Sequence, residues 1–244
     1  MLLNHQFLHK IQTSFKEFIK CGGTSRSTAK LKPLHGAIAK DIADMLGDTY
    51  RVWSQGYDCD KERKIDGRYI DKMVDITIED KNTERPVAGI AVKFVMQNYS
   101  QNSNNYFENM LGETANIRTA SCPYFQIFII LDKLPYYQSS GNITKWEEFT
   151  DHNMHKYCEL AKDNPDVYLH TPNKTLIYVV HLEPEIPSNI RTRNDYRNFY
   201  QSQIDRIFIT NTSHDYKELS SGGTIIFNNY KLFIDKVYHT IKSL

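Results

Sequence analysis

Apolar residues along this chain recur first at helical and then at strand spacing. Phe7, Leu8, Ile11, Phe15, Phe18 and Ile19 fall on one stripe, which predicts a helix over 4–20, broken at Cys21-Gly22-Gly23. Ile38, Ile42 and Met45 or Leu46 predict a second, half-buried helix over 34–46 that Gly47 ends. The period then shortens. Strands are expected at 50–57, 69–79 and 86–96, the last two joined by a polar hairpin turn. The polar run 97–105 reads as a loop, followed by a helix over 106–118 opened by an Asn105-x-x-Glu108 capping box. Residues 124–131 form a continuous apolar run, the signature of a strand buried on both faces. A helix over 145–161, a strand over 175–182 and an amphipathic helix over 228–241 complete the expectation.

This alternation predicts an α/β fold with a mixed central sheet flanked by helices. A length of 244 residues suits one domain overall. It divides into an N-terminal helical segment (1–30), a core (31–185) and a mixed C-terminal segment packed on it (186–244). The four cysteines are scattered without a CxxC pair, which fits reduced thiols in a cytoplasm. The start of the chain carries His5 and Lys10 where a secretory signal needs an unbroken apolar core. The net charge of +1 advertises no basic excess, so a polyanion would be met by a local field.

Two charges interrupt the apolar strands. Asp75 stands at the centre of Val74-Asp75-Ile76-Thr77-Ile78, and Lys93 follows 18 residues later in Ile90-Ala91-Val92-Lys93-Phe94. Burying either charge alone costs several kcal/mol, on the order of 3–5. They therefore serve chemistry or form a structural ion pair. His152-x-x-His155 lacks a third ligand, and neither glycine pair carries the GK[ST] of a nucleotide-binding P-loop.

The Asp75 and Lys93 strands, with the helix and strand after them, resemble the active-site core of PD-(D/E)xK nucleases, type II restriction endonucleases among them. The resemblance implies a restriction-endonuclease-like core in the cytoplasm of a prokaryotic cell. It implies Mg²⁺-dependent hydrolysis of phosphodiesters in a specific double-stranded DNA site, by a homodimer if that site is palindromic. Asp75 would be a metal ligand, and Lys93 would orient water and stabilise phosphate charge. Position 91, where the family carries its second acid, holds Ala91. That acid is expected to have migrated to the next helix, as Glu113 or, in rivalry with its capping role, Glu108. Asp41 is a further candidate acid on the preceding helix, with His35 just upstream. The stretch with Asn98, Tyr99, Gln101, Asn102, Asn104 and Asn105 is expected to contact DNA. Three alternatives stand beside this reading. They are a repair or nicking nuclease on the same core, a DNA-binding protein without catalysis, and an unrelated α/β protein in which Asp75 and Lys93 form a structural ion pair.

Overall fold

The computed structural model describes residues 1–22, 29–216 and 223–244; Gly23, in the break after the first helix, lies outside them. The first helix, α1 (Asn4–Lys20), buries the predicted stripe, and α2 (Lys32–Leu46) starts with Pro33 in its first turn and stops at Gly47. The strands β1 (Tyr50–Ser54), β2 (Arg63–Ile65), β3 (Lys72–Val74), β4 (Ile76–Asp80) and β5 (Arg85–Val95) come next. Helix α3 (Tyr99–Arg118), β6 (Tyr124–Leu131) and the hairpin β7 (Lys133–Tyr137) to β8 (Ile143–Glu148) follow, then α4 (Asp151–Ala161) and β9 (Lys174–Glu183). The chain ends with α5 (Arg193–Ser202), β10 (Phe208–Asn211), β11 (Ile225–Phe227) and α6 (Tyr230–Lys242).

The central sheet runs β1-β4-β5-β6-β9-β10, with β11 on the same edge of β9 as β10. It is mixed: β1, β4 and β5 form an antiparallel meander, whereas β5, β6 and β9 are parallel. All eight residues of β6 are buried, because helices cover both sheet faces. On one face Phe125 meets Phe233 of α6, and Phe7 of α1 stacks on Tyr230 at 3.9 Å. On the other, Phe128 packs against Tyr106 of α3 and Tyr157 of α4. The α/β expectation holds in this arrangement. No helix among the described residues is long and apolar enough to cross a membrane.

Three local expectations are corrected. Helix α3 begins at Tyr99, so most of the polar stretch read as a loop is helical and Asn105-x-x-Glu108 is not its cap. Buried Glu147 instead accepts from the Ser100 backbone nitrogen at 3.2 Å and from its hydroxyl, placing an acid where the helix dipole favours one. The helix expected from 145 begins only at Asp151, after a Thr150–Asn153 capping box; 143–148 is strand β8, paired with β7. The strand expected over 69–79 is interrupted at Asp75, where β3 leaves the main sheet to pair with β2.

Candidate metal centre

Asp75 lies in the break between β3 and β4. The β4–β5 ladder ends at the Ile76–Ile90 pair, and the N–H of Val92 beyond it donates to Asp75 Oδ2 at 2.7 Å. The carboxylate thus takes the place of a missing strand carbonyl, which fixes its direction. Burial pushes the Asp75 carboxyl up to about 6, and the nearby Glu113 charge adds to the rise. The Val92 bond, Lys93 and Lys72 oppose it.

Two further groups converge on Asp75: His35 from α2 and Glu62 from the segment before β2. One ligand atom from each of the three lies within 4.8 Å of the others. His35 is 4 % exposed, and its Nε2 is enclosed without a hydrogen-bond partner among the described residues. Burial drives the imidazole down to about 4, so at neutral pH it is uncharged and offers a lone pair. Glu62 is raised by burial and by the Asp75 charge, and Gln55 Nε2 donates to its Oε1 at 2.8 Å. A backbone contact sets the convergence. A Cβ on Gly36 would stand 2.1 Å from the Gly56 carbonyl oxygen, and one on Gly56 would stand 2.2 Å from that of Lys32. Only paired glycines let α2 approach the β1–β2 connection this closely.

Lys93 is exposed on β5, its ammonium 4.7 Å from the Tyr106 ring centroid. It acts on the Asp75 carboxylate through its field, and no Asp75–Lys93 ion pair occurs among the described residues. Ala91 packs against the small cluster of Ile65, Val74, Ile117, Cys122 and Tyr124.

The helix acids separate. Glu113 stands near enough to raise the Asp75 carboxyl, but its Oε1 accepts from Lys72 Nζ at 2.5 Å and its Oε2 from the Tyr124 hydroxyl at 3.5 Å. Glu108 is exposed, and Lys156 of α4 feels its charge. Asp41 does not reach the centre: its Oδ1 accepts from the Leu2 backbone nitrogen at 2.7 Å. Six positions separate it from His35, which turns it well off that side of α2.

Of the residues expected on DNA, Tyr99 is 2 % exposed among Tyr106, Phe128 and Phe149, a core position that removes it from any surface. The Asn98 amide is engaged with both backbone groups of Tyr137, and Asn102 bonds back to the Asn98 carbonyl at 3.5 Å. Gln101, Asn104 and Asn105 are exposed.

Near the centre, Asn116 of α3 holds the loop before β3. Its side chain accepts from the Tyr69 and Ile70 nitrogens at 2.9 and 3.3 Å and donates to the Ile70 carbonyl at 2.8 Å. Tyr69 and Ile70 point outward, 75 % and 67 % exposed.

Glu62 was not found from the sequence, since no motif or period marks it. His35 carried a signal: it sits on the buried stripe of α2 with Ile38, Ile42 and Leu46. One neutral imidazole and two carboxylates, with an enclosed nitrogen lacking a donor, fit a divalent cation. No protein-family model, curated protein or solved structure matches the chain.

Proposed function

We propose that this chain is a divalent-metal-dependent endonuclease of the PD-(D/E)xK class acting on double-stranded DNA. The buried convergence of His35, Glu62 and Asp75 beside Lys93, with an imidazole whose Nε2 has no hydrogen-bond partner among the described residues, carries the reading. Between α2 and α3 the central sheet gains three strands, β1, β4 and β5, with the β2–β3 pair inserted after β1, and α3 then leads to β6, an order that supports the resemblance. A structural Asp75–Lys93 ion pair leaves the cluster unexplained. The finer reading is a type II restriction enzyme, dimeric on a palindromic site in a prokaryotic cytoplasm, with Mg²⁺ as its ion.

His35, Glu62 and Asp75 would hold the cation. When bound, it supplies Lewis acidity and lowers the pKa of water at the centre. Lys93 orients the attacking water and offsets the charge that grows on the phosphate in the transition state. Glu113, fixed by Lys72 and Tyr124, contributes negative potential to Asp75 rather than a free carboxylate. Glu62 thus takes over the part of the acid that Ala91 replaces. A nitrogen donor admits Mn²⁺ at least as readily as Mg²⁺, because imidazole suits first-row ions better than an all-oxygen shell does.

The test is digestion of long mixed-sequence DNA with Mg²⁺ or Mn²⁺, comparing the parent chain with Asp75→Asn, Glu62→Gln and Lys93→Ala. Discrete fragments that disappear in all three variants are expected. Cleavage that survives Asp75→Asn, or none by the parent with either ion, refutes the nuclease reading; metal-independent duplex binding without cleavage would establish a DNA-binding protein.

A further inference from the structure

At the opposite end of α3 from Asp75, three segments are laced into one unit. The Asn98 nitrogen donates to the Pro135 carbonyl at 3.0 Å, and the Asn98 side chain brackets Tyr137, so the start of α3 is tied to β7. The hairpin tip is tied in turn to the start of α5. Asn142 bridges Thr192, Ile143 N donates to Arg191 O at 2.7 Å, and Arg193 N donates to Gly141 O at 2.9 Å. On this unit the Arg193 guanidinium stacks 4.8 Å from the Tyr137 ring centroid. Arg197 follows four residues later, on the same side of α5. The Nε atoms of both arginines are enclosed without a hydrogen-bond partner, and neither side chain joins an ion pair among the described residues.

Asp195 on the same helix and Glu147 on the hairpin are already engaged. Asp195 accepts from the Thr192 and Arg191 nitrogens, and Glu147 caps α3. Two shallow hollows of about 410 and 280 Å³ share Ser139 and Arg193, and the larger adds Gln101, Tyr136 and Gln138. A stacked, preorganised guanidinium without a carboxylate suits a phosphate oxygen, and the amides around it suit sugar and base edges. The net charge of +1 conceals this local field.

Helix α3 measures the distance to the metal centre. From Gln101, in the larger hollow, to Glu113, beside Asp75, a rise of 1.5 Å per residue gives about 18 Å. At 3.4 Å per base pair that is about five base pairs of duplex. Building on the nuclease reading, we infer that the β7–β8 hairpin and the start of α5 form a platform for duplex DNA. Arg193 and Arg197 grip phosphates there, about five base pairs from the bond cut at the metal centre.

The experiment measures binding of the full chain to a fluorescent mixed-sequence duplex in EDTA across a salt series. Arg193→Ala/Arg197→Ala is compared with the parent and with Lys93→Ala. Loss of two phosphate contacts should lower the slope of log affinity against log salt by about two, and weaken binding on the order of 100-fold at low salt. The metal-induced thermal shift should stay at the parent value, showing that the fold and the metal centre are intact. An unchanged slope and affinity in the double variant would overturn the platform and leave the nuclease reading standing. Absence of duplex binding by the parent would likewise overturn the platform, and digestion with Mg²⁺ or Mn²⁺ decides the nuclease reading separately.

Discussion

Replacing His35 by Leu separates a metal ligand from a core histidine. The enclosed Nε2 carries a desolvation cost of about 1–3 kcal/mol as long as nothing bonds it. Leucine has a similar volume and no polar atom, so the metal-free variant should be more stable than the parent by about 1–2 kcal/mol. For a chain of this size each kcal/mol moves the Tm by about 2–4 °C. The cation reverses the ranking. At a concentration 100 times its Kd, an ion that binds only the folded state stabilises it by about 2.7 kcal/mol, a rise of about 5–10 °C. If loss of the imidazole weakens binding about 100-fold, the same concentration gives only about 0.4 kcal/mol, near 1 °C. Thermal denaturation with EDTA and with a Mn²⁺ series measures both halves. A variant that melts well below the parent in EDTA yet keeps the full Mn²⁺ shift would refute the argument and make His35 a packing residue.

Three more outcomes follow from the same geometry. Metal binding must displace the proton that burial keeps on Asp75 up to about 6. Apparent Mn²⁺ affinity from calorimetric titration should therefore be flat above that pH and fall by about tenfold per unit below it, and affinity independent of pH from 5 to 7 would contradict this. Gly36→Ala forces a Cβ onto the Gly56 carbonyl and should cost about 1–3 kcal/mol in urea melts while weakening metal binding, because it separates His35 from Glu62. Asp41→Ala strips a buried acceptor from the Leu2 nitrogen and should cost about 1–3 kcal/mol with the metal-induced shift unchanged. A lost shift would restore Asp41 to the centre.

What could be read from the sequence, and what could not, divides along physical lines. Helices α1 and α2 and strands β5, β6 and β9 carry strong periods or continuous apolar runs, and their burial follows those patterns. The start of α3 was illegible because its Tyr-Ser-Gln-Asn-Ser-Asn-Asn opening has weak helix propensity. The acid that caps it is Glu147, which is remote in sequence. Strand β8 was lost inside a helical reading because Lys145-Trp146-Glu147 has no strong period of its own. Asp75 and Lys93 stood out as charges in apolar strands. Glu62 meets His35 and Asp75 where the Gly36–Gly56 contact brings α2 against the β1–β2 connection, which no local pattern announces.

The Asn116 clamp has a thermodynamic consequence. Fixing the backbone of one residue costs about 1–2 kcal/mol in entropy, so ordering Tyr69 and Ile70 costs on the order of 2–4 kcal/mol. Here that ordering is complete once the chain has folded, because one amide holds Tyr69 and Ile70 in place while leaving their side chains to solvent. A surface that meets these two side chains need not freeze them, and every 1.4 kcal/mol so spared is tenfold in its affinity.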